Sequence, residues 1–171
     1  MKIDALLDSN VLIAMLAEAH EHHESSLALL AGGSNMQFAI AAHSYAEAYS
    51  TLTRRGEQAP FRFSPDEAWA ALESVRAATT LLGLTAPQTF DAIKNYSQAG
   101  GIGARLYDRL IGETAVVHSV PAIVTWNVGH MRSLFPALRV LAPKEWMQSG
   151  GGQPASARPP KGFRPMTDTR P

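Results

Sequence analysis

At 171 residues the chain has the length of one domain with a full core, and its 46% hydrophobic and 18% charged residues are ordinary for a globular protein. Fifteen basic residues balance fifteen acidic ones overall; residues 1–147 hold eleven Lys and Arg against fourteen Asp and Glu, and residues 148–171 four against one, so a nucleic acid would have to be met by a local patch, not by a basic body. The lack of cysteine excludes disulfides, thiolate catalysis and cysteine-based zinc sites, and with no signal-like leader and no apolar run near ~18 residues the chain is expected in the cytoplasm, with no membrane partner.

In chain order, "IDALL" reads as a buried strand and "SNVLIAMLAEA" as a helix that Ser9 or Asn10 can cap, so Asp8 falls where a strand ends. A second helix over "HHESSLALLA" stops at Gly32–Gly33, and "MQFAIA" is a strand. "AHSYAEAYSTLTRR" is helical, with Tyr45, Ala48, Tyr49 and Leu52 on one face and Glu47 off that stripe. "SPDEAWAALESV" opens a helix with a Ser cap, a Pro at the first helical position and acids in the first turn, and "TTLLGL" is a short strand.

"APQTFDAIKNYSQA" is helical, "GGIG" interrupts, and "ARLYDRLIGETAVVHS" resumes with Leu106, Leu110, Thr114 and Val117 at helical spacing until Pro121 closes it. "AIVT" is a compact strand, "VGHMRSLF" a short helix, and "LRVLAP" and "KEWMQ" finish the body, with Lys144 in a terminal helix. Strands alternating with helices predict an α/β fold around a parallel sheet. The body is expected over residues 1–147, and the Gly-, Pro- and Arg-rich stretch 148–171 is expected to be disordered.

Ligands of open α/β sheets gather beyond the carboxyl ends of the strands, which draws attention to Asp8 and to Thr125 and Asn127 in "VTWNVGHM". Asp8 also fits a loop or cap role, Glu47 an exposed helix position, and Asp108 a carboxylate at the positive end of a helix dipole. Jointly, acids on separate elements can converge on one hard cation such as Mg²⁺ or Mn²⁺, which takes oxygen ligands and can orient water for attack on a phosphodiester. Asp4 lies roughly 13 Å from Asp8, at the wrong end of the strand, and is expected to be solvated.

The run "HEHHE" puts His20, His23 and Glu24 on one helical face, a zinc pattern that a solvated helix start explains more simply, and His43 and His118 read as ordinary. Trp126 either stacks a base or packs in the core. Arg54, Arg55 and Arg62 cluster after the third helix, and Arg105 and Arg109 flank Asp108 as the preferred phosphate-gripping pair.

Together, "LLDSNVLI", "SYAEAYSTLTR", "GARLYDRLIGETA" and "IVTWNVGHM" resemble the four signature segments of a PIN domain in order and spacing, most nearly the VapC-like toxins of bacterial type II toxin–antitoxin pairs, over residues 4–142. The resemblance implies a three-layer α/β/α sandwich with a central, mostly parallel sheet. It also implies a metal-dependent endoribonuclease acting as a toxin, with an RNA substrate, a cognate antitoxin and homodimerisation. Carried over by position, Asp8, Glu47 and Asp108 would be the acidic ligands of Mg²⁺ or Mn²⁺, and single-stranded or loop RNA the substrate.

In many members the last segment reads Thr-x-Asn/Asp-x-x-Asp-Phe; here Thr125 and Asn127 fit, while His130 stands where an acid would and Met131 where Phe would. On this reading Thr125 positions Asp8 and Asn127 bonds a ligand water or an acidic ligand, while His130 contacts phosphate, binds a second metal weakly or caps a helix. The replaced acid also supports an alternative, a catalytically weak PIN-fold module that mainly binds an antitoxin or RNA. A phospho-acceptor domain using Asp8 lacks the adjacent second acid that such chemistry wants. Phe61, Phe63, Trp69 and Leu72 are candidates for a partner-binding surface.

Overall fold

Five short apolar segments pair side by side into one sheet: β1 (Ala5–Leu7), β2 (Phe38–Ala41), β3 (Thr80–Leu82), β4 (Ala122–Val124) and β5 (Arg139–Leu141). Their order is β3-β2-β1-β4-β5 and every pairing is parallel. The structure is a computed structural model describing residues 2–31 and 36–151. The helices are α1 (Ser9–Leu16), α2 (His23–Ala31), α3 (Ala42–Leu52), α4 (Pro65–Ala78), α5 (Ala86–Gln98), α6 (Arg105–Val117), α7 (Val128–Leu134) and α8 (Pro143–Trp146).

Strict alternation along the strands divides the core in two. Ala5, Leu7, Phe38, Ile40, Ala122 and Val124 meet side chains of α1, α2, α3 and α4, with Trp146. Leu6, Ala39, Ile123 and Val140 meet Ile111 and Ala115 of α6, Met131 of α7 and Phe135. Strands covered on both faces have no solvent side to mark with polar residues, which is why they read as unbroken apolar runs. The result is the expected α/β/α sandwich.

The chain steps outward from β1 to β2 to β3, then returns to place β4 on the other side of β1. That reversal opens a crevice at the carboxyl ends of β1 and β4. Helix starts are set locally: Ser64 and Glu67 exchange side-chain-to-backbone bonds of 3.2 and 2.7 Å ahead of α4, and Thr85 with Gln88 repeat the box ahead of α5.

Several expectations need correction. Asp8, not Ser9 or Asn10, precedes α1, and its side chain makes no cap bond because it is turned toward β4. The buried stripe of α3 is Ser44, Ala48 and Leu52, while Tyr45 and Tyr49 line a groove of about 540 Å³ with Trp69, Leu72 and Leu81. On α6 the buried positions are Leu110, Ile111, Gly112, Thr114 and Ala115, and Val117 faces out. That helix ends before Pro121, at a turn that places Ser119 in the left-handed region at φ 53°.

Asp4 is not merely solvated, since its carboxylate accepts the Gln37 N–H at 2.8 Å and ties the entry of β2 to β1. Phe61, Phe63 and Leu72 are buried, so of the four suggested partner residues only Trp69, 60% exposed, remains on the surface. A π-helical turn over Met147–Gly151 occupies the start of the expected tail, whose remainder lies outside the described residues, as does the Gly32–Gly33 stop.

Gly112 sits where α6 crosses Phe135, and a Cβ there would run into the phenyl ring. Alanine would gain about 1 kcal/mol of helix propensity, but overpacking a closed core costs about 1–3 kcal/mol. Gly112→Ala is therefore expected to lower the urea midpoint; an unchanged or raised midpoint would mean that Phe135 swings aside at little cost.

Candidate active site

Asp8 is the first residue past β1 and is 1% exposed, so its carboxylate must find donors inside the protein. It finds three: the Thr125 hydroxyl at 2.6 Å, Asn10 Nδ2 at 2.9 Å and the Ser9 hydroxyl at 3.1 Å. Thr125 Oγ1 in turn accepts from Asn10 Nδ2 at 3.0 Å and from the Asn127 N–H at 2.9 Å, and Asn10 Oδ1 accepts the Trp126 N–H at 3.1 Å. One connected network thus ties the end of β1 to the end of β4.

Glu47 leaves α3 beside the buried stripe, and its Oε2 is buried with no hydrogen-bond partner. Asp108 lies in the first turn of α6, with Oδ2 3.2 Å from His130 Nε2 of α7, an electrostatic contact not aligned as a hydrogen bond. His130 therefore pairs with Asp108 and does not cap its own helix.

Burial raises the proton affinity of all three carboxyls above the usual range, and their charges add to it: Asp108 acts on Asp8, while Asp8 and Asp108 act on Glu47. The Thr125 and Ser9 bonds oppose the shift at Asp8, the Ser9 hydroxyl opposes it at Glu47, and His130 followed by Arg105 opposes it at Asp108. These are oxygen donors from three elements, mutually repelling and with one oxygen unpartnered, which is the chemistry a hard divalent cation answers. Among the described residues no three His, Asp or Glu side chains lie together as a group that could hold an ion, so the three acids act on one another through charge without forming a ready-made ion cage.

The other candidates fall in different places. Asn127 is exposed at the rim and joins the network through its backbone N–H. Arg109 is taken up by an ion pair with Glu113 and lies 5.1 Å over the Phe135 ring, so only Arg105 of the preferred pair stays open. Arg55 bonds the Phe63 carbonyl at 2.8 Å, while Arg54 and Arg62 are exposed.

His23 is buried against the Ala14 carbonyl at 3.1 Å and Glu24 is exposed, so the "HEHHE" residues do not converge on a metal. Trp126 gives its indole N–H to Ser26 at 3.0 Å and packs on the core, as the second of its two readings had it. Ser9 and Asn10 were read only as helix caps; the available signal was two small polar residues directly after Asp8 in an otherwise apolar helix start.

The sequence model of the family described as PIN domain matches residues 5–129. No curated protein sequence matches the chain significantly. Among solved structures, the fold is similar to VapC20 of Mycobacterium tuberculosis, described as a sarcin–ricin loop cleaving toxin, at TM-score 0.60 and 13% identity, covering 79% of this chain and 98% of that one. It is also similar to VapBC2 of Rickettsia felis bound to a promoter DNA fragment (0.55, 19%, 80% and 96%) and to FitAcB of Neisseria gonorrhoeae (0.53, 18%, 82% and 98%).

The raised carboxyls fix a pH dependence. A folded carboxyl pKa above its unfolded value means that the native state binds more protons, so stability is full below the ordinary carboxylate range of about 4 and falls as pH rises through the folded pKa. Glu47→Gln removes one of the penalised charges. In chelator it should melt above the parent chain at pH 7 and match it near pH 4; a lower melt at pH 7 would show that the charge is already compensated.

Proposed function

Because the chain belongs to the PIN domain family, we propose that it is a metal-dependent endoribonuclease acting as the toxin of a toxin–antitoxin pair. The observation that supports this reading is that Asp8, Glu47 and Asp108 are near enough for Asp108 to act on the charge of Asp8, and for both to act on Glu47, with burial raising the proton affinity of each. Asp8, Glu47 and Asp108 are the proposed ligands of Mg²⁺ or Mn²⁺. The cation supplies Lewis acidity and positive charge where a phosphodiester is attacked by water.

The side chains divide the remaining work. Thr125, Ser9 and Asn10 aim the Asp8 carboxylate and leave Glu47 Oε2 free to turn to a ligand or to a proton of the attacking water. Arg105, beside Asp108, is the proposed phosphate contact, with His130 as a second one when protonated. Asn127 at the exposed rim is placed for the approaching strand, for which single-stranded or loop RNA is the proposed class. The loop-cleaving activity in the name of the Mycobacterium tuberculosis neighbour supports RNA, and the VapBC2 complex supports a cognate antitoxin.

A homodimer is the proposed assembly, and exposed apolar side chains such as Trp69 and Phe90 offer material for protein contacts. No helix among the described residues is long and apolar enough to cross a membrane.

The test is cleavage of structured and unstructured RNA with Mn²⁺, with Mg²⁺ and with chelator, alongside Asp8→Asn and Asp108→Asn. Metal-dependent cleavage lost in Asp108→Asn, with the fold intact, is expected. Mn²⁺ at 100 times its Kd should also stabilise the parent chain by about 2.7 kcal/mol, an increment lost in the variant. Absence of both cleavage and metal-linked stabilisation would sink the nuclease reading and favour the binding module that the His130–Asp108 pair keeps open.

A further inference from the structure

Trp126 is flanked by Thr125, whose hydroxyl holds Asp8, and by Asn127, whose N–H holds Thr125. Trp126 is itself held at three points, two of them on the indole. Its backbone N–H goes to Asn10 on α1, its ring N–H goes to the fully buried Ser26 on α2, and its face is covered by the imidazole of His22, the residue before α2. The two ring centroids are 3.9 Å apart with planes inclined by 18°, closer than the roughly 4.5–7 Å usual for aromatic pairs.

His22 is held in turn by its neighbours. Its backbone N–H donates to His20 Nδ1 at 3.1 Å, its carbonyl accepts the Ser26 N–H at 3.0 Å, and the His20 ring lies near Phe61 at 6.1 Å. The charged or titratable groups around it are Glu21, 3.7 Å away, His20 and His23. The α1–α2 turn is thereby packed, ring on ring, against the segment that carries the Asp8 anchor.

We propose that His22 is a positioning residue of the site, stacking on Trp126 to hold the β4–α7 segment where Thr125 and Asn127 fix the Asp8 carboxylate. This rests on the reading of Asp8 as a site carboxylate. The imidazole touches none of the three acids, so its action runs through one rigid ring. A flat side chain at position 22 satisfies the requirement, and a small one does not. The stack also covers one face of Trp126, which leaves that face unavailable to a nucleobase.

Amide hydrogen exchange on the full chain, with no metal and no RNA, tests the clamp independently of activity. In His22→Ala the Trp126 and Asn127 amides should exchange roughly tenfold faster while the β1 and β2 amides keep their rates, since only a local opening has become easier. His22→Phe, which keeps a flat ring, should restore slow exchange. With RNA, His22→Ala should lower kcat about tenfold at unchanged KM, the pattern of a misaimed group. Unchanged exchange in His22→Ala, acceleration shared equally with the strands, or failure of His22→Phe to restore it would each overturn the proposal. If the parent chain neither cleaves RNA nor gains stability from metal, the nuclease reading fails while the exchange result still decides the clamp.

Discussion

The hydrogen bond from Thr125 to Asp8, 2.6 Å long and buried, is the link on which the site depends. A carboxylate almost wholly withdrawn from water is tolerable only where donors converge on it, and each bond to a charged group is worth about 1.5–3 kcal/mol. Three donors reach Asp8, and its proton affinity still stands above the ordinary range, so the bonds orient the group without fully compensating its charge. On the proposed function, a cation at the site would supply the compensation that the three donors leave incomplete.

The topology explains why this link exists. β1 and β4 are neighbours in the sheet, but Asp8 and Thr125 at their ends lie 117 residues apart in the chain, so the bond joins its two halves at the point where the strand order reverses. The parallel ladder continues past both strand ends, with the Asp8 N–H on the Val124 carbonyl at 3.0 Å and the Thr125 N–H on the Leu141 carbonyl at 3.0 Å. Backbone register thus brings the two side chains level, and the hydroxyl needs no search to find its carboxylate. Glu47 and Asp108 arrive on helices packed against opposite faces of the same sheet, α3 from one layer and α6 from the other.

Much of the layout was legible because it rests on local signals. The Ser64 cap with Pro65 and its acids, the apolar strands and the acid after β1 each follow from a few neighbouring residues; the Thr85–Gln88 box was as local but stayed unread. What stayed hidden depends on tertiary partners. Arg109 looked like a free phosphate contact until Glu113, one helical turn on, and the Phe135 ring claimed it. Phe61, Phe63 and Leu72 looked available until they packed into the core shared with α1, α2 and α3. The second function of Asn10, bridging Asp8 to Thr125 and Trp126, cannot be read from spacing because those last two partners lie over a hundred positions away.

His130 changes the charge balance that an acid at its position would set. Three carboxylates and one divalent cation sum to minus one (minus three plus two), and a bound phosphodiester takes the total to minus two. His130 and Arg105 are the groups that oppose the raised proton affinity of Asp108, so Arg105 brings positive charge toward that total and His130 adds no negative charge to it. A fourth carboxylate would instead deepen the deficit and call for a second cation. On the proposed chemistry, a site with His130 in place of a fourth acid calls for one ion and not two, with Arg105 as the phosphate contact beside Asp108.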